Sequence, residues 1–468
     1  MSDEVEKGKK MCLYLYRQLL YIKMKKQLLA TVCIASIFLP SQAQEAWTLQ
    51  SCIDYAIKHN IQIQKNRMAE EQAAVTLSQY KGQLFPSLSF STNQSLGYRP
   101  FEESTAIVQN GQVTTTSNKV TYQGSYGFSA NWTVWNGGIN YKNVKAQELQ
   151  SEIQSLATKA SELSIRERIA LLYVQILYTQ EAKKVNDQLM QTAQSQYDRG
   201  VEFFNQGQFS KADVAQLESQ LSNARYNSVN SETQVINYKR QLKALLELDL
   251  STPFEVATVT PADEDVLALV PSAQDVYDKA LLTRPEILSA EKSIDAADMQ
   301  LDIAKRGYLP TIGLTASLND SHFSANNKNY GKQLKTNLNM AAGVNISVPI
   351  FDNRRNQSAV RQAKIRQANS RLDLQEQKNT LSSTIEQYWI DAYRSQQNFV
   401  AAKQQVNSQI VSYELLDEQF KAGLKNIVEL LTARDNLLSA EQRMLEAKYT
   451  TLLNIQLLKL YTGEEIRL

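Results

Sequence analysis

Hydrophobic and polar positions along this chain follow two periods, and the switch between them happens twice. From Leu49 to about Gln83 apolar residues recur at three and four, as at Leu49, Ile53, Ala56, Ile57 and Ile61, which predicts a helix ended by Pro86. The period then drops to two. Leu88, Phe90, Leu96 and Tyr98 alternate with Ser87, Ser89, Ser91, Asn93 and Ser95. A second strand sets Val120, Tyr122, Tyr126, Phe128, Ala130, Trp132 and Val134 against Thr121, Gln123, Ser125, Ser129, Asn131 and Thr133. A long helical stretch follows from about Asn140 to Arg199, with Ile153, Leu156, Ala160 and Leu163 at coiled-coil spacing. After a break at Gly200 to Gly207, a shorter helix is expected from Ala212 to Leu248.

The second half repeats this plan. Ile312, Leu314, Ala316 and Leu318 face away from Thr311, Gly313, Thr315 and Ser317, and Leu334, Leu338, Met340, Val344, Ile346, Val348 and Ile350 form the partner strand. Helices are expected from Asn356 to Lys421 and, after a break at Gly423, from Ile427 to Tyr461. Leu84-Phe85-Pro86 matches Tyr308-Leu309-Pro310 at a separation of 224, and Trp135-Asn136 matches Phe351-Asp352 at 216. The chain is therefore an internal duplication. The expected parts are an extension and signal (1–43), a first repeat (44–248, hairpin 87–134), a linker (249–272) and a second repeat (273–468, hairpin 311–350). By length, each long helix would run beside two shorter ones laid end to end.

Composition narrows the function. Only 16 Gly and 9 Pro in 468 residues imply long elements, and a net charge of +2 argues against nucleic acid as a partner. Met24-Lys25-Lys26, the apolar run Leu28 to Leu39 and Ser41-Gln42-Ala43 read as a secretory signal, with Met24 the expected start. Cys12, Cys33 and Cys52 leave no disulfide for a mature chain. His59 and His322 are read as helix-surface and loop residues, and no phosphate loop, nucleophile motif or metal spacing appears, so neither enzyme activity nor cofactor is expected.

The polar faces of all four strands are almost uncharged, with Trp132 and Trp135 at one end and Tyr98 and Tyr122 at the other, which predicts outer-membrane strands with aromatic girdles that also include Phe351. Four strands cannot close in lipid. A dimer would supply eight, whose interior side chains fill, whereas a trimer supplies twelve and leaves room for water. The polar inner faces favour the trimer.

Several short motifs, doubled in order, carry a resemblance to the TolC-like outer-membrane efflux family over nearly the whole mature chain. They are Leu84-Phe85-Pro86 and Tyr308-Leu309-Pro310, the strand exits Trp135-Asn136-Gly137-Gly138 and Phe351-Asp352-Asn353-Arg354, and the tips Gln196 to Gly200 and Gln419 to Gly423. The resemblance implies a membrane α+β fold: a trimeric 12-stranded β-barrel continuous with a long periplasmic α-helical barrel. It implies a homotrimer in the outer-membrane lipid of a Gram-negative bacterium, serving an inner-membrane pump through a periplasmic adaptor. By the same resemblance Glu429, with its repeat partner Asp213, narrows the periplasmic entrance. Thr432 stands where the family has a second acid, Phe420 where it has a tyrosine, and Lys425 at a basic latch position, expected to pair with Asp213. A solvated helix face explains Glu429 equally well. Val201 to Gly207 reads as an insertion at the first tip, with Gly200, Phe203, Phe204, Gly207 and Gly423 the residues for adaptor contact or, for the phenylalanines, local packing. The alternative function is a periplasmic coiled-coil adaptor or scaffold without a pore.

Overall fold

The computed structural model describes residues 46–98, 100–101, 105–109, 112–116, 120–249, 251–324 and 329–466; the signal segment and Met24 lie outside them. Residues from Thr48 onward pack as one unit. The first helix is broken where a continuous one was expected: α1 (Leu49–His59) stops at Asn60 and α2 (Ile61–Gly82) begins after it. Asn60 causes the break. Its side-chain oxygen accepts the backbone N–H groups of Gln62 and Ile63, and its amide donates to the Leu245 carbonyl at 2.9 Å. A cap that satisfies two orphan donors and gains a distant partner offsets the lost continuity.

Strand β1 (Ser87–Tyr98) pairs antiparallel with β4 (Val120–Trp135), and the connector folds its own hairpin of β2 (Thr105–Gln109) and β3 (Gln112–Thr116). Helices α3 (Ile139–Asn205) and α4 (Lys211–Leu245) complete the first repeat, and the linker holds a short helix, α5 (Asp263–Val266). The second repeat runs α6 (Ala273–Thr283), α7 (Pro285–Arg306), β5 (Thr311–Phe323), α8 (Tyr330–Asn337), β6 (Asn339–Ser347), α9 (Arg355–Lys421) and α10 (Ile427–Tyr461).

Both ends of α1 and α2 reappear 224 residues later as the ends of α6 and α7, and both ends of α3 and α4 reappear 216 residues later as those of α9 and α10. The long helices thus have 67 residues each, ~100 Å, and the short ones 35 each, ~53 Å. This equality corrects the reading of Val201 to Gly207 as an insertion. Helix α3 continues through Gly200 to Asn205, and Gly207 is the counterpart of Gly423. Gly200 is buried inside the helix because a Cβ there would meet Leu217 Cδ1 at 2.3 Å. A glycine needed for close packing looks, in sequence, like a helix stop.

The second hairpin needs a correction too. Leu334 lies in α8, not on a strand, because Gln333 accepts the Phe323 N–H and Asn337 donates to the Ser321 carbonyl, folding that turn of helix back onto β5. Strand β6 ends at Ser347 rather than Ile350; Pro349 lacks the N–H that a longer ladder requires. Helix α3 packs against α2 and α4, and α9 against α7 and α10, so the core lies along helix seams. Its densest part is at the waist, where Val276, Ala280, Ile287, Ile385, Ala392, Ile455 and Leu458 meet.

Candidate functional site

The four long strands make one antiparallel sheet in the order β1-β4-β5-β6, which leaves β1 and β6 as open edges. Register aligns like with like. Leu88, Ala130, Ala316 and Ala342 form one cross-strand row, and Phe90, Phe128, Leu318 and Met340 the next on that face. The opposite face carries Ser89, Ser129 and Ser317 in one row and Ser91, Gly127, Asn319 and Asn339 in another. Leu88 and Met340 are 75% and 74% exposed, so the apolar face is bare in the single chain. A soluble sheet would cover such a face against a core.

Aromatic residues mark the two ends of this wall. Tyr98 stands opposite Val120 and Tyr122 opposite Leu96, while Trp132 and Trp135 lie at the far end, with Phe351 just beyond β6. Trp132 is held by its indole N–H, which donates to the Leu84 carbonyl at 2.9 Å. The roughly dozen residues between the two bands span ~40 Å along a strand, or ~30 Å at the tilt of a barrel strand, the thickness of a hydrocarbon core.

At the far end of the helices both repeats turn on a left-handed glycine, Gly207 at φ 74° and Gly423 at φ 75°. The returning helices are capped at equivalent positions, by Ser210 in α4 and Asn426 in α10, which puts Asp213 and Glu429 at the third helical residue of each. The two acids are then used differently. Asp213 closes a capping box, accepting from the Ser210 hydroxyl at 2.7 Å and its backbone N–H at 2.9 Å, and these bonds hold its carboxyl below the ordinary value of 3.8. Glu429 pairs instead with Lys425, Nζ to Oε2 at 2.6 Å. That corrects the expected pairing of Lys425 with Asp213: within the chain the i,i+4 partner on the same helical turn is nearer. Thr432 donates to the Val428 carbonyl and stays on the exposed face.

The aromatic residues of the tip pack on one another. Phe209 lies 5.2 Å from Phe203 and 6.0 Å from Phe420, over Leu217, Ile427, Leu430 and Leu431, whereas Phe204 is exposed. Leu424 and Val428 are exposed beside them.

A family model for outer membrane efflux proteins matches residues 52–247 and 276–464, one match in each repeat. The chain belongs to that family. The outer membrane efflux protein BepC of Brucella suis biovar 1 (strain 1330) is 22% identical over 433 residues, 91% of this chain and 87% of the relative. The outer membrane protein TolC of Escherichia coli (strain K12) is 24% identical over 428 residues, covering 88% and 82%. Among solved structures, the outer membrane protein VceC of Vibrio cholerae superposes with a TM-score of 0.74 at 16% identity, over 90% of this chain and 97% of that one.

Two features of this efflux protein escape a reading of its sequence. Arg434 is buried in the tip bundle, donating to Gln196 at 3.3 Å and to Asp435 at 3.2 Å, and burial pulls its guanidinium below the ordinary value. Its position three residues before Leu437, on the apolar stripe of α10, was the available signal. His322, expected in a loop, sits in β5 and is buried among the rings of Tyr122 at 5.0 Å, Tyr330 at 4.8 Å and Tyr126 at 6.0 Å. It was missed because α8 folds over it from residues distant in the pattern. His59 is on a helix as expected, stacked on Tyr55 at 4.2 Å.

Proposed function

We propose that three copies of this chain join their sheets into a twelve-stranded barrel in the outer membrane of a Gram-negative bacterium and their helices into a periplasmic tube, forming one passive exit duct. The observation that carries this reading is a four-stranded sheet with two unpaired edges and one bare apolar face. Open edges are not tolerated in lipid, so the edges must pair with other copies. The helix layer has matching bare seams: Ile61, Met68 and Val75 recur every seven residues along α2, and Ile365 and Leu372 along α9, all at least 49% exposed. Polar rows on the other face of the sheet would line the water path.

Energy for transport belongs to an inner-membrane pump, engaged through a periplasmic adaptor that meets the tips around Gly207, Gly423, Phe203 and Phe204. Glu429, unused for capping, would form a ring of three carboxylates at the entrance, with Lys425, Asp213, Phe420 and Thr432 around it. The purified protein in detergent should have the mass of three chains and conduct in a planar bilayer. Glu429→Gln should weaken block by a trivalent cation such as hexaamminecobalt from the periplasmic side by about tenfold or more. A monomeric protein that stays soluble without detergent would instead favour a periplasmic scaffold without a pore.

A further inference from the structure

The duplication predicts a surface that one chain leaves bare. Within the chain the two repeats meet along β4 and β5, along α3 and α7, and along α3 and α10. Replacing each element by its counterpart in the other repeat turns β4 into β6, β5 into β1, α3 into α9, α7 into α2 and α10 into α4. Those counterparts are the elements at the two open edges. Resting on the trimeric duct proposed above, we infer that the interface between two copies repeats the seam inside one copy, residue by residue. Strand β6 of one copy then pairs with β1 of the next in the register Asn345 with Asn93 and Ser347 with Ser91, and α9 packs on α2 with Ala368 against Met68.

Three observations support carrying the seam across. First, the offsets already reproduce register: Phe90 pairs with Phe128, and their counterparts Leu314 and Val344 pair as well, as do Ser87 with Asn131 and Thr311 with Ser347. The inferred register is the β4–β5 pairing of Ser129 with Ser317 and Asn131 with Thr315, transposed by the same offsets. Second, it keeps side chains on their proper faces. Met340 falls opposite Tyr98 and Val348 opposite Phe90 on the apolar side, whereas a slip of one residue would put the serine and asparagine face of one strand against the lipid face of the other.

Third, the chemistry of the seam changes in the way a surface exposed until assembly requires. Inside the chain α3 is tied to α7 by ion pairs, Lys142 with Asp302 at 3.1 Å and Glu152 with Lys292 at 2.8 Å. Their counterparts are Ser358 with Ser78 and Ala368 with Met68, uncharged and exposed in the single chain, with Met68 62% exposed. Small and apolar residues there lie beside the Ile61, Val75, Ile365 and Leu372 stripes and can be buried without desolvating a charge.

Cysteine cross-linking of the full-length protein in outer-membrane fractions tests the register, in a background with Cys12, Cys33 and Cys52 replaced by alanine. Asn345→Cys with Asn93→Cys, treated with a short bis-methanethiosulfonate linker, should give about fivefold or more covalent trimer than the slipped pairs Asn345→Cys with Ser91→Cys or with Ser95→Cys. Ala368→Cys with Met68→Cys gives the same readout from the helix layer, should the strand variants fail to assemble. A slipped pair that cross-links best, while the protein keeps a three-chain mass in detergent, overturns the register and leaves the duct reading intact. A single-chain mass in detergent overturns the duct reading and this inference with it.

Discussion

At the waist, Asn60 of the first repeat and Arg284 of the second stand 224 residues apart, and both hold the end of their own repeat's short helix. Asn60 donates to the Leu245 carbonyl, whereas Arg284 lays its guanidinium 4.3 Å above the ring of Tyr461, the counterpart of Leu245. Arg284 also grips Glu286 through two nitrogens, at 2.8 and 3.1 Å, and Tyr388 beside it hydrogen-bonds Glu167 of α3. The first repeat meets the constraint with one neutral amide, the second with a buried charge. A duplicated backbone thus fixes where the break falls and which helix end must be held, and leaves the means of holding it free to diverge.

The largest effects should come from this pair. Arg284→Ala removes a buried cation with its carboxylate partner and aromatic face and should cost ~3 kcal/mol of stability. Asn60→Ala loses a cap and one tertiary hydrogen bond and should cost ~1.5 kcal/mol. Heat or urea unfolding of the detergent-solubilised protein, followed by helical circular dichroism, measures both. Equal losses would mean that the charge adds nothing to what the amide supplies.

The strand exits sharpen the comparison. Gly137 and Gly138 adopt φ of 71° and 78°, and at the equivalent sites Asn353 and Arg354 are driven into the same left-handed region at 52° and 64°. Gly137 has no alternative, since a Cβ would meet Leu309 at 2.9 Å. Gly137→Ala adds that clash to backbone strain and should cost ~2 kcal/mol. Arg354→Gly relieves strain and should gain ~0.5 to 1 kcal/mol. The same unfolding experiment separates them by sign, and a loss on Arg354→Gly would mean that its side chain has a structural task.

Much of this architecture is legible from residue patterns because the repeat states each element twice. The period-two strands and the ends of α10 could be read directly, since Ser, Thr and Asn alternate cleanly with large apolar residues and Tyr461 closes an unbroken helical period. Features that depend on a distant partner were not legible. Asn60 looks like any helix-surface amide until Leu245 is beside it, and Gly200 looks like a stop until Leu217 is packed on it. Leu334 fits either period until its neighbours Gln333 and Asn337 are bonded to the backbone of β5. Of the candidate site, the positions of Glu429 and Lys425 followed from family motifs, but the division of labour between Glu429 and Asp213 needed the caps to be seen.

The smallest predicted effect lies at those caps and is a matter of pH. Asp213 has a depressed carboxyl pKa in the folded chain because the Ser210 hydroxyl and N–H bind its charged form. Its contribution is therefore present above the unfolded value near 3.8 and is lost as pH falls through the lower folded value. The second tip is capped by the Asn426 side chain, which accepts the Glu429 N–H at 2.9 Å and does not titrate. Asp213→Asn should flatten the acid limb of the stability profile below about pH 4, and Asn426→Ala should lower stability by ~1 kcal/mol to a similar extent across the range. Unfolding midpoints measured from about pH 3 to 7, at about one-unit steps, decide the matter. An unchanged acid limb in Asp213→Asn would show that its capping box contributes no linkage, and the two tips would then differ in sequence without differing in how protons act on them.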